Sequence, residues 1–203
     1  MSLDAFWIDA APEIGVQYRE PGAIIFEQSV STACGPATSA VGPFYCPADE
    51  TVYLDTGFYD DLRTRFGADG GPLAEMYVVA HEWGHHMQKI TGVLESADIS
   101  QSGPDSDAVR LELQADCFGG AWAGAASEGP DALLEPITRE QVAQALDAAE
   151  AIGDDRIQEQ TSGQVSPESW THGSSEQRQR WFTVGFEGGV TACDTFAVPG
   201  GDL

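Results

Sequence analysis

Basic residues are scarce in this 203-residue chain, where 9 Lys plus Arg stand against 33 Asp plus Glu for a formal net charge of −24. A surface that acidic repels phosphate backbones, which excludes nucleic acid as a partner and argues against docking on anionic lipid. The chain also lacks any uncharged apolar run of the roughly 18 residues that a membrane helix needs. No basic segment followed by an apolar one opens it. The opening Met1-Ser2-Leu3 reads as an appended lead standing in for a natural leader, so the missing signal does not by itself point to the cytoplasm. Cys-x-x-Cys pairs are absent too. Cys34, Cys46, Cys117 and Cys193 form an even set that favours disulfides over a thiolate metal site. No repeat, low-complexity tract or long linker divides the sequence, and one domain over residues 1–203 is expected. Hydrophobic residues at 42% supply enough apolar material for a core.

What is there changes character near Gly71. The first 70 residues are rich in Gly, Pro and short β-favouring runs, with strands expected at Ala23–Phe26 and Thr51–Leu54 and a loop between them carrying Cys34 and Cys46. Pro72 suits a first helical turn, and Met76, Val79, Trp83, Met87 and Ile90 recur at helical spacing up to Thr91, with Gly92 as the stop. The polar stretch from Ser96 to Asp107 reads as an exposed loop. A second helix is expected from Asp107 to Ala126, with Leu111, Ala115, Phe118, Trp122 and Ala125 on its apolar face and Gly119-Gly120 allowing another backbone to come close. A third should start at the capping box Thr138-Arg139-Glu140-Gln141, and a fourth at Ser174 or Ser175 with Trp181, Phe182 and Phe186 inward. Gly153 to Ser169 is expected to be a mobile insertion.

Inside the first of these helices lies His81-Glu82-Trp83-Gly84-His85. Residues four apart share a helix face, so both imidazoles can reach one Zn²⁺, while Glu82 on the adjoining flank can act as a base toward water. A catalytic zinc site normally has three protein ligands. The metzincin pattern would need glycine at position 88 and histidine at position 91, but Gln88 and Thr91 stand there, which excludes that class. His86 points about 100° away around the helix and cannot join the site. On the second helix, Glu112 and Asp116 are four apart. Glu112 can serve as third ligand and Asp116 can accept the N–H of a ligand histidine, although an acidic protein also carries such pairs on solvated faces.

The segments Val79 to Gln88, Glu112 to Ala123 and Thr171 to Arg178, with Cys34-Gly35, Gly42 to Pro47 and Val52 to Asp55, resemble the neutral zinc metallopeptidase family of bacteria. The resemblance covers most of the chain. It implies a helix-rich α+β fold of the zincin-like, thermolysin-related type, one Zn²⁺, and a glutamate ligand on the helix that follows the His-Glu helix. It also implies a peptidase acting on peptide or protein substrates, and a full-length form anchored to a membrane by a segment outside this chain. His172, the one histidine outside the helix motif, is a candidate donor to the oxyanion of a tetrahedral intermediate or else a brace for its loop. Tyr77, one turn before His81, is a weaker donor candidate and the more ordinary core residue. The Val52-Tyr53-Leu54 strand could be a sheet edge along which a peptide lies. Bridges Cys34–Cys46 and Cys117–Cys193 are expected, and with them an oxidising, extracytoplasmic location. Two rivals are a catalytically silent zinc scaffold and a cysteine hydrolase using His172. The first leaves Glu82 without a purpose, and the second has no cysteine free if all four pair.

Overall fold

A computed structural model describes residues 2–68, 70–126 and 137–203. The helices are α1 (Leu3–Ala10), α2 (Phe58–Thr64), α3 (Pro72–Thr91), α4 (Val93–Ser96), α5 (Asp107–Ala126), α6 (Arg139–Ala151), α7 (Asp154–Ser162) and α8 (Ser175–Gly188). The strands are β1 (Gly22–Phe26), β2 (Ser29–Thr32), β3 (Gly35–Thr38), β4 (Phe44–Cys46) and β5 (Thr51–Asp55). The architecture is α+β and helix-rich, with one three-stranded and one two-stranded sheet among the described residues.

The expected helices follow their local signals. α3 begins at Pro72 and ends where Gly92 takes a left-handed φ of 80°, a conformation that costs glycine little. α6 and α8 each open on a capping box, Thr138 with Gln141 and Ser174 with Gln177. α5 packs against both α3 and α8, and it is buried on nearly every side rather than along one stripe. Its glycines explain the closeness. A Cβ on Gly120 would collide with the backbone carbonyl of Phe182, and one on Gly185 of α8 with that of Cys117. On the α3 side, a Cβ on Gly84 would lie 2.9 Å from the Cα of Ala115. These approaches bring the polar side chains of α5 within hydrogen-bond reach of α3 and α8.

Three expectations fail. The stretch between the two expected strands is not a plain loop, since β2, β3 and β4 lie in it, and the first 70 residues also contain α1 and α2; α1 is capped by Ser2 and held by Trp7, which is fully buried and packs edge-on against Phe118 at 5.3 Å. Helices that short draw their stability from tertiary contacts that local sequence does not reveal. The supposed mobile insertion after Gly153 contains α7. No residue of that helix is buried, so it has no apolar period to read. It is tied down through Asp154, whose carboxylate accepts the backbone N–H groups of Thr171, His172 and Gly173 at 2.7, 2.7 and 3.1 Å. The third concerns the peptide edge. β5 is the central strand, parallel to β1 (Gly22 opposite Thr51) and antiparallel to β4 (Phe44 opposite Tyr53). Val52 to Leu54 therefore has both edges occupied, and β4 is the edge strand on that side.

Both disulfides join as expected. Cys34–Cys46 links the β2–β3 hairpin to β4, and Cys117–Cys193 ties α5 to the C-terminal segment. Among the described residues no helix is long and apolar enough to cross a membrane.

Candidate metal centre

His81 and His85 project from the same face of α3 toward Glu112 on α5. His81 Nε2 lies 3.2 Å from Glu112 Oε2, and His85 Nε2 lies 3.6 Å from Glu112 Oε1. One ligand atom from each of the three side chains falls within 4.8 Å of the others, so this group could hold a metal ion. The remaining ring nitrogens are engaged elsewhere. His81 Nδ1 donates to Asp116 Oδ1 at 2.7 Å and His85 Nδ1 donates to Gln88 Oε1 at 2.9 Å. Those bonds fix each ring with its Nε2 turned toward Glu112.

Behind His81 stands a buried polar network. Asp116 is fully buried and accepts from Tyr77 Oη at 2.5 Å as well as from His81. Arg178, only 2% exposed, reaches in from α8 and donates through Nε to Oδ2 at 2.8 Å and through Nη2 to Oδ1 at 2.9 Å. Burial alone would raise the Asp116 carboxyl, but Arg178 and His81 outweigh it and bring its pKa down to about 2. Gln88 is likewise fixed, its amide donating to the Leu111 carbonyl at 2.6 Å and to Gln114 Oε1 at 3.2 Å. Arg178 and Gln88 escaped the sequence reading. For Gln88 the signal was present, since it lies three residues past His85 on the same helix; Arg178 had no local signal, because only the packing of α8 on α5 places it.

The donor set fits a zinc ion. Burial works against an imidazolium at His81, yet Asp116 and Glu112 outweigh it and raise its pKa to about 10. The two carboxylates thus call for positive charge at this ring, which a divalent metal at Nε2 supplies as well as a proton does. Glu112 shows the converse, because His85, His172 and His81 outweigh its burial and hold it well below the ordinary glutamate range. Two imidazoles and one carboxylate, with the rings held from behind by Asp116 and Gln88, are a zinc donor set.

The centre opens into a cavity of about 540 Å³. Glu82 lines it and is buried, and burial pushes its carboxyl above the ordinary range. His172 lines the same cavity, with its Nδ1 3.0 Å from Thr171 Oγ1 and 3.4 Å from Asp154 Oδ1. The charge of Glu112 and the hydrogen bond to Asp154 raise its pKa. Tyr77 is buried and its hydroxyl is spent on Asp116, which makes it a brace of the network. His86 leaves the metal face, as its position on the helix requires, and is bound between Tyr45 Oη at 2.9 Å and the Arg19 carbonyl at 2.8 Å.

A helix-borne pair of histidines faces a glutamate on a second helix, with a buried carboxylate beside them in an open cavity, and the three ligand side chains could hold a metal ion there. The chain belongs to the family described as "Putative neutral zinc metallopeptidase", which matches residues 2–196. It is 50% identical over 202 residues to "Uncharacterized protein Rv2575" of Mycobacterium tuberculosis, covering 97% of this chain and 68% of that protein. It is 44% identical over 196 residues to "Uncharacterized protein YpfJ" of Escherichia coli, covering 94% of this chain and 66% of that protein. No solved structure matches it.

Proposed function

We propose that the protein is a zincin-like peptidase that hydrolyses peptide bonds in an oxidising, extracytoplasmic compartment. The observation that carries this reading is the convergence of His81, His85 and Glu112 with both Nδ1 atoms already engaged, beside the buried Glu82 in an open cavity. One zinc ion held by those three residues supplies Lewis acidity toward a carbonyl and toward water. Glu82 takes a proton from the water that attacks the scissile carbonyl carbon. As the C–N bond breaks, Glu82 passes that proton to the leaving amine, so the products are a carboxylic acid and an amine. His172, braced at Nδ1 by Thr171 and Asp154, presents its other ring nitrogen to the oxygen on which negative charge develops. Asp116 and Gln88 hold the two histidine rings, and Arg178 holds Asp116. The two disulfides support the compartment, because such bridges persist where thiols are not kept reduced. A peptide or protein substrate and an anchor supplied by a segment outside this chain belong to the same reading.

The test is metal analysis of the purified protein combined with cleavage of a mixed peptide library, with and without a chelator. About one zinc per chain and chelator-sensitive cleavage are expected. Glu82→Gln should keep its zinc and lose about 10²- to 10⁴-fold in turnover, the usual range for a general base. Undiminished turnover in that variant would remove Glu82 from the mechanism. Stoichiometric zinc with no cleavage of any peptide would favour the silent scaffold.

A further inference from the structure

Part of the cavity lining is built from a different material than the metal ligands. Its wall is Val41 and Pro43 from the segment joining β3 to β4, Phe44 at the start of β4, and Phe58 and Phe66 from α2 and the turn beyond it. None of the five is buried, although each is apolar, and Val41 is 59% exposed. The two pieces of wall are in contact, since a Cβ on Gly42 would lie 2.9 Å from Phe58 Cδ2, and the Phe58 and Phe66 rings are 6.4 Å apart. Charge on this side cancels. Arg65 Nη1 bonds Asp61 Oδ2 at 2.9 Å, while its guanidinium sits 5.6 Å from the centre of the Phe66 ring. The hairpin that precedes the wall is pinned to β4 by Cys34–Cys46 and to the β4–β5 turn by the Ala33 N–H donating to Asp49 at 3.0 Å.

Apolar side chains left partly exposed on a wall that shares its cavity with the catalytic groups gain from an occupant of matching chemistry, which removes their remaining surface from water. From this we propose that the Val41–Phe44 and Phe58–Phe66 wall is the specificity subsite of the enzyme, receiving a bulky apolar side chain of a peptide residue next to the scissile bond. The inference rests on the peptidase reading and adds the substrate class to it. A charged side chain gains nothing there, because the one ion pair on the wall is already satisfied internally and a buried charge would go unpaired.

The experiment compares matched peptides that differ at one position, carrying Phe, Leu, Asp or Lys. The expected result is a kcat/KM about ten- to a hundred-fold higher for Phe and Leu, the range set by burying one large apolar side chain. Val41→Asp, a change at an exposed position, should cut that preference about ten-fold and improve cleavage of the Lys peptide, with zinc content unchanged. An unaltered preference in Val41→Asp, or a wild-type enzyme that favours Asp or Lys, overturns the assignment. A second measurement does not depend on turnover. Titrating methyl-labelled protein with N-acetyl-phenylalanine amide should shift the Val41 methyl resonances, and N-acetyl-aspartate amide should not. If no peptide is cleaved yet the phenylalanine probe binds at Val41, the peptidase reading fails and the apolar subsite stands. If peptides are cleaved and Val41 is unmoved by the phenylalanine probe, the subsite fails and the peptidase reading stands.

Discussion

The two walls of the cavity are made by opposite strategies. On the helical wall, the polar side chains of α3, α5 and α8 around the metal ligands are buried and partnered, from His81 through Asp116 to Arg178 and from His85 through Gln88 to Leu111. On the wall formed by the β3–β4 segment, Phe44 and α2, apolar side chains are left partly exposed beside the Arg65–Asp61 pair, and the nearby hairpin is held by a disulfide and a small cluster around Phe26, Cys46 and Tyr53. The difference teaches what each wall can do. Fixed polar groups hold reacting atoms to a few tenths of an ångström, whereas uncovered apolar groups select by burial and tolerate some play.

The comparison can be broken most forcefully at the two bridges. Cys117–Cys193 belongs to the helical side and spans 76 residues, while Cys34–Cys46 belongs to the other and spans 12. Chain-entropy arguments give about 4 to 5 kcal/mol for the long loop and about 3 kcal/mol for the short one. Paired Cys→Ser variants followed by chemical denaturation should show that order, and the short-loop variant should keep its zinc. Loss of zinc on removing Cys34–Cys46 would mean that the walls are not independent.

His172 is the next point of attack, because it lines the same cavity as the metal ligands and feels the charge of Glu112. His172→Ala should lower kcat about 10²- to 10³-fold with KM and zinc content close to wild type. Easier unfolding with unchanged kcat would make it a loop brace. A smaller effect is expected behind the ligands, where Asp116→Ala should weaken zinc binding about 10- to 100-fold in a competition titration without abolishing it. Wild-type affinity in that variant would separate Asp116 from the centre.

The smallest expected effect concerns Asp154. Its burial acts to raise the carboxyl, but hydrogen bonds from His172 and the Thr171 backbone outweigh it and set the folded pKa below the ordinary value. A carboxyl depressed on folding contributes stability that is present above the unfolded pKa of about 4 and is lost as the pH falls through the folded value. Asp154→Asn should therefore cost on the order of 1 kcal/mol at pH 7. The gap from wild type should close below about pH 4 in melts taken across that range, and a gap independent of pH would refute the charge argument.

How far the sequence could be read divides along the same line. The long helices announce themselves through Pro72, Gly92, Thr138 and Ser174 and through apolar spacing, and the His81–His85 interval is a local fact of helix geometry. Glu112 and Asp116 could be named from their own spacing, because α5 is regular. α1, α2 and α7 left no such trace. They are short, and what holds them is remote in sequence: Phe118 for Trp7, and the backbone of Thr171 to Gly173 for Asp154.

By itself, then, the sequence determined the chemical identity of the centre, since a helical period of 3.6 residues carries His81, Glu82 and His85 to neighbouring faces wherever that helix forms. It also determined the acidic surface, which depends on composition alone. Only the tertiary structure decided that β5 is central with β1 and β4 at the edges, that Arg178 reaches Asp116 from 62 residues away, and that Gly42 lies beside Phe58 in the lining of one cavity. The physical reason is range. Helix periodicity and caps act within about four residues, whereas strand order, buried ion pairs and cavity walls are settled by which distant surfaces exclude water together.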